Sequence, residues 1–142
     1  MGPWSTRTLA GMGAPAQDRV GVLAVDDQPI FLDVARDVVV ATPGFRWVGG
    51  ARSGEEALDA VAELEPALVL MDVRMPGMDG IDAARRIRDR HPEVVVVLIS
   101  IEEGPAIAPA IEASGAAALV RKREFSPAML RRLWLTYRGP GD

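Results

Sequence analysis

The chain has 142 residues, of which 49% are hydrophobic and 25% charged, and no cysteine. That length suits one domain with a closed core, and the balance excludes a disordered or collagen-like chain. Without cysteine there is no disulfide, thiolate metal site or cysteine nucleophile. The net charge of −4 argues against direct nucleic-acid binding, though the charge is uneven: 10 basic and 18 acidic side chains precede residue 115, while 6 and 2 follow.

Residues 1–19, with Pro3, Pro15 and scattered glycines, lack the apolar core of an export signal and are expected to form a loose tail. Val20 to Val25 is a short apolar run suited to a strand buried on both faces. Asp26-Asp27-Gln28 follows, Pro29 fits a first helical turn, and Ile30, Phe31, Val34, Val38 and Val39 recur at helical spacing up to about Val40. Thr42-Pro43-Gly44 stops that helix. Phe45 to Ala51 reads as a second strand, and Ser53 with Glu56 forms a capping-box pattern opening a helix from Gly54 to Leu64, with Ala57, Leu58, Val61 and Leu64 on its apolar face.

Ala67 to Met71 is the third strand, with Asp72 where it stops. Val73 to Gly80 reads as a loop, Ile81 to Arg90 as a helix closed by His91-Pro92, and Val94 to Ile99 as a fourth strand ending at Ser100. His91 is expected to be only a loop residue. A short or distorted helix is predicted over about Pro105 to Ala113, because Pro109 deletes a backbone hydrogen bond unless it lies in the first turn. Ala116 to Val120 gives a fifth strand with Lys122 just beyond. Ser126-Pro127 then caps a last helix with Leu130, Leu133, Trp134 and Tyr137 inward, leaving Met129 and Leu135 off the stripe.

Five such units predict an α/β fold: a doubly wound, five-stranded parallel sheet of order 2-1-3-4-5 with helices on both faces, spanning residues 20–138, and a short tail at 139–142. No apolar run approaches the roughly 18 residues a spanning helix needs, so no membrane partner is expected, and the absence of cysteine fits a cytoplasmic location.

In such a sheet, ligands collect at the carboxyl ends of the strands. That rule gathers Asp26, Asp27, Asp72, Ser100 and Lys122 at one edge. Three close carboxylates repel unless a cation balances them, and magnesium fits because it takes a few carboxylate oxygens and keeps places for water and phosphate. A carboxylate beside such a metal can attack a phosphoryl group. Lys122 would neutralise the phosphoryl oxygens and Ser100 would donate a hydrogen bond to one of them. Lys122 is also the single lysine in a chain with fifteen arginines.

The segments Leu23 to Pro29, Leu70 to Gly80, Leu98-Ile99-Ser100, and Gly115-Ala116 leading to Lys122 resemble the CheY-like receiver domain of two-component response regulators. The resemblance implies that Asp72 is the phosphoacceptor, Asp27 a direct magnesium ligand and Asp26 a ligand through water, with the backbone carbonyl of Arg74 also on the metal. It makes Ser100 the switch hydroxyl and Lys122 the phosphate-contacting lysine. It implies a sensor histidine kinase as phosphodonor, a downstream protein partner, a possible homodimer, output from the face of helix 4, strand 5 and helix 5, and a chain that is not itself an enzyme.

Four residues depart from the family pattern. Leu119 stands where the switch aromatic is usual, Ile101 where a small residue is preferred and Arg123 where proline is common, and Pro109 disturbs the fourth helix. Leu119 and Ile101 favour a rival reading as a phosphorylation-independent interaction module, and the first two strand-helix units, which resemble receivers attached to helix-turn-helix DNA-binding domains, allow the receiver portion of a transcriptional regulator. An aspartate-nucleophile phosphohydrolase is disfavoured, since Arg74 occupies the place of its second acid.

Overall fold

The computed structural model describes residues 18–101 and 108–138. The expected tails at 1–19 and 139–142 therefore lie almost wholly outside the described residues, as does the start of the fourth predicted helix. Strands β1 (Val20–Val25), β2 (Phe45–Ala51), β3 (Leu68–Asp72), β4 (Val95–Ser100) and β5 (Ala118–Arg121) form one sheet of order β2-β1-β3-β4-β5. Every pairing is parallel. The helices are α1 (Pro29–Val40), α2 (Gly54–Leu64), α3 (Gly80–Arg90), α4 (Ala108–Ser114) and α5 (Pro127–Tyr137), with a 3-10 turn over Lys122–Glu124. Among the described residues no helix is long and apolar enough to cross a membrane.

The central strands are apolar throughout because both faces are covered. Val22 and Ala24 of β1 and Leu68 and Leu70 of β3 pack with Phe31, Ala35 and Val39 of α1 and Leu130 and Leu133 of α5. The alternate residues Leu23, Val25, Val69 and Met71 pack with Ala57 and Val61 of α2 and Ala83, Ala84 and Ile87 of α3. A period of two along each strand thus feeds two separate apolar layers.

Local chemistry fixes the helix starts. Ser53 Oγ accepts from the Glu56 N–H (3.0 Å), while the Glu56 carboxylate accepts from the Arg52 N–H (3.1 Å), one residue earlier than the usual reciprocal partner. Ser126 Oγ accepts from the Met129 N–H (3.2 Å) with Pro127 at the first position of α5. Asp79, expected in a loop, caps α3 through the Asp82 N–H (2.8 Å). Pro109 is the second residue of the described part of α4 (Ala108–Ser114), which continues helical beyond it.

Several expectations need correction. The buried stripe of α1 is Phe31, Ala35 and Val39, whereas Ile30 and Val34 are exposed. Leu64 on α2 and Tyr137 on α5 are both exposed, and Met129 packs against the core that it was expected to face away from. A β-bulge separates Val22 and Leu23 in the pairing with β2, so Val48 is the extra residue beside Gly49 and Gly50.

Candidate functional site

Register places the polar residues side by side. Val25 pairs with Met71, so Asp26 and Asp72 both follow directly at the ends of neighbouring strands. Asp72 pairs with Ile99 and Ser100 with Arg121, which sets Ser100 and Lys122 at the same edge. The ladder extends past the carboxylates: the Asp26 N–H donates to Ala51 C=O and the Val73 N–H to Ile99 C=O, each at 3.0 Å. Backbone hydrogen bonds on both sides therefore hold the acidic cluster.

Asp26, Asp27 and Asp72 each present a carboxylate oxygen within 4.8 Å of the others, a group that could hold a metal ion. Asp26 is fully buried. Its Oδ1 accepts from the Gln28 N–H (2.8 Å), and its Oδ2 forms an ion pair with Lys122 Nζ (2.5 Å) without making a hydrogen bond. Lys122 Nζ also lies 3.5 Å from Asp72 Oδ1. Asp27, Gln28, Asp72, Arg74, Ser100, Ile101 and Lys122 line one cleft; Ser100 is buried, and Ile101 is 77% exposed at its rim. A larger cleft at the amino ends of β3 and β4 contains His91 and Glu93, 3.9 Å apart, and gathers no such cluster.

Three carboxylates meet here, and their crowding and burial show in Asp72. Burial pushes its carboxyl up to about 6, helped by the Asp26 charge and, to a smaller extent, Asp27, while Lys122 opposes the rise. A carboxyl raised in the fold contributes stability while protonated and loses that contribution as pH climbs from about 4 to 6. Asp72→Asn, which removes the charge and keeps the shape, is expected to stabilise the metal-free protein at neutral pH by about 1–3 kcal/mol, with the gain vanishing near pH 4. Urea unfolding in chelator at the two pH values measures this; a destabilised Asp72→Asn protein would show that the carboxylate is not strained.

The sequence reading missed two residues here. Gly80, which begins α3, packs so close to Asp72 that an added Cβ would fall 1.8 Å from the Asp72 carbonyl oxygen. The Asp79-Gly80 pair with Asp82 three residues after the cap was the available signal. Phe31, read as core, also carries Lys122 over its ring.

A parallel sheet of this order with an acid-rich, lysine-bearing carboxyl edge defines a class, and the chain belongs to the response regulator receiver domain family, whose profile matches residues 22–133. Response regulator GacA of Pseudomonas viridiflava is 33% identical over 120 residues, covering 84% of this chain and 56% of that protein. The protein-glutamate methylesterase/protein-glutamine glutaminase of Thermotoga maritima is 33% identical over 127 residues, covering 82% of this chain and 37% of that protein. Among solved structures, the response regulator domain of Thermotoga maritima CheB superposes with a TM-score of 0.74 at 30% identity, covering 82% of this chain and 95% of that one. The chain thus spans about half of the GacA relative and little more than a third of the methylesterase.

These relatives correct the expectation that the chain is not an enzyme. Similar chains form part of a protein named as a methylesterase/glutaminase, and a fold shared with an enzyme cannot by itself exclude activity. The receiver assignment therefore stands without a non-enzyme label.

Proposed function

We propose that this receiver domain, residues 20–138, takes a phosphoryl group onto Asp72 from a sensor histidine kinase in a magnesium-dependent reaction. Receiver domains of this family interact with histidine kinases. The observation that carries the reading is the meeting of three carboxylates and one ammonium at a single sheet edge.

The donor set is all oxygen and fits a hard cation. The family resemblance implies that Asp27 and Asp72 would hold magnesium directly, Asp26 through water, with the Arg74 carbonyl a further oxygen; the engagement of Asp26 Oδ1 by the Gln28 N–H and of Oδ2 by Lys122 supports the indirect role of Asp26. Bound there, the ion would neutralise charge on the phosphoryl oxygens. An Asp72 carboxylate oxygen forms the new bond to phosphorus, while the bond to the donor histidine nitrogen breaks and its electron pair leaves with that nitrogen. Lys122 shifts its ammonium onto a phosphoryl oxygen, and the Ser100 hydroxyl donates to another. That pair of contacts is made only in the phosphorylated state, so it can bias a two-state change by the ~1 to 3 kcal/mol typical of a coupling. The face of α4, β5 and α5, where Leu119 and Leu135 are exposed, would pass the change to a downstream protein or a second copy, in the cytoplasm.

Intact mass after incubation with acetyl phosphate tests the chemistry. One added phosphoryl group is expected with magnesium, none with chelator and none in Asp72→Asn. Wild-type protein that stays unmodified with magnesium, and whose tryptophan fluorescence ignores beryllium fluoride, would favour a phosphorylation-independent interaction module.

A further inference from the structure

Lys122 is held by more than its carboxylate partners. Its Nζ sits over the Phe31 ring, 4.9 Å from the centroid, within the range of a cation–π contact. Phe31 is buried near the start of α1, where its N–H donates to Gln28 C=O (3.1 Å). Its ring meets that of Phe125 at a centroid distance of 6.3 Å and a tilt of 49°. Phe125 in turn closes the turn that carries the lysine, its N–H donating to Lys122 C=O (3.2 Å). Two packed rings therefore brace both the backbone and the head group of Lys122.

We propose that Phe31 is a positioning residue for Lys122, whose ring face keeps the ammonium poised between Asp26 and Asp72; the inference rests on the reading of Asp72 as phosphoacceptor. An aliphatic side chain in that place would desolvate the ammonium and offer nothing in return. The ring offers its negative face. A hydrogen-bond acceptor would fix the ammonium in one direction, whereas a ring face attracts without a directional bond. The ammonium, 2.5 Å from Asp26 Oδ2 and 3.5 Å from Asp72 Oδ1, can therefore swing toward a phosphoryl group on Asp72 without giving up the ring contact.

The single lysine makes the test direct, because lysine-selective isotope labelling yields one side-chain ε-CH2 signal. Ring current should displace that signal upfield in the wild type and in Phe31→Tyr, and the displacement should vanish in Phe31→Leu. Phosphoryl uptake from acetyl phosphate is expected to slow about 2- to 30-fold in Phe31→Leu, with magnesium affinity unchanged, and to recover in Phe31→Tyr. Should Phe31→Leu fail to fold, a nuclear Overhauser contact between the ε-CH2 and the Phe31 ring in the wild type decides the geometry, and its absence overturns the inference. A folded Phe31→Leu protein that keeps the upfield displacement or the wild-type rate also overturns it. If the wild type takes up no phosphoryl group at all, the reading of Asp72 fails instead, and the ε-CH2 signal alone still judges the ring contact.

Discussion

Gly80→Ala is expected to destabilise the protein by about 2–3 kcal/mol and to cut phosphoryl uptake on Asp72, although it adds one methyl group to a residue with no side chain of its own. The reason is a close approach of two backbones. A Cβ at Gly80 would lie 1.8 Å from the Asp72 carbonyl oxygen, 2.8 Å from its carbonyl carbon and 3.0 Å from Val73 Cα. None of these atoms is the movable end of a side chain, so relief requires α3 to lift off the end of β3. That movement would stretch the hydrogen bond from the Gly80 N–H to Val73 C=O (2.9 Å) and turn Asp72 away from Asp26 and Asp27. Gly50→Ala is the matched control: its new Cβ would meet Leu32 and Trp47 side-chain atoms at 3.4 Å, an ordinary contact. Chemical denaturation and acetyl phosphate labelling of the two variants measure the contrast. Equal stability and equal labelling would mean that α3 does not pin the phosphoacceptor strand.

The same region shows where the sequence was readable and where it was not. Alternating apolar runs and caps expose the five units, because a strand covered on both faces and a serine or proline at a helix start are local signals. The carboxyl-edge rule then collects Asp26, Asp27, Asp72, Ser100 and Lys122, and the structure does bring them together. Apolar pattern ends β3 at Met71, since a carboxylate breaks the run, yet the ladder continues through Asp72 opposite Ile99. On α1 the bulkiest residues suggest a stripe through Ile30 and Val34, but the line that touches the sheet passes through Ala35, a side chain too small to announce itself. Gly80 and Phe31 were illegible as site residues for a different reason. Each acts by contact with a residue distant along the chain or by a backbone approach, and neither leaves a periodicity.

Lys122→Met is expected to lower the rate of phosphoryl uptake about a hundredfold or more while leaving magnesium binding intact. Methionine keeps much of the length and apolar body of lysine and removes the charge, so the loss reads out the ammonium. In the metal-free protein that ammonium compensates a fully buried Asp26 and a nearly buried Asp72, and it holds the Asp72 carboxyl below the value that burial and Asp26 would otherwise impose. Its removal should therefore push Asp72 higher still and weaken the metal-free fold, a loss that magnesium restores by supplying positive charge to the same oxygens. Lys122→Arg should rescue poorly, although arginine is this chain's usual cation. A compact ammonium fits between Asp26 and Asp72 over the Phe31 ring, whereas the planar guanidinium is broader and binds in a fixed fork. Acetyl phosphate kinetics and calorimetric magnesium titration of wild type, Lys122→Met and Lys122→Arg separate the two roles. A Lys122→Met protein that labels at the wild-type rate would remove the lysine from the chemistry, and one that loses magnesium as well would make its role that of holding the acidic cluster together.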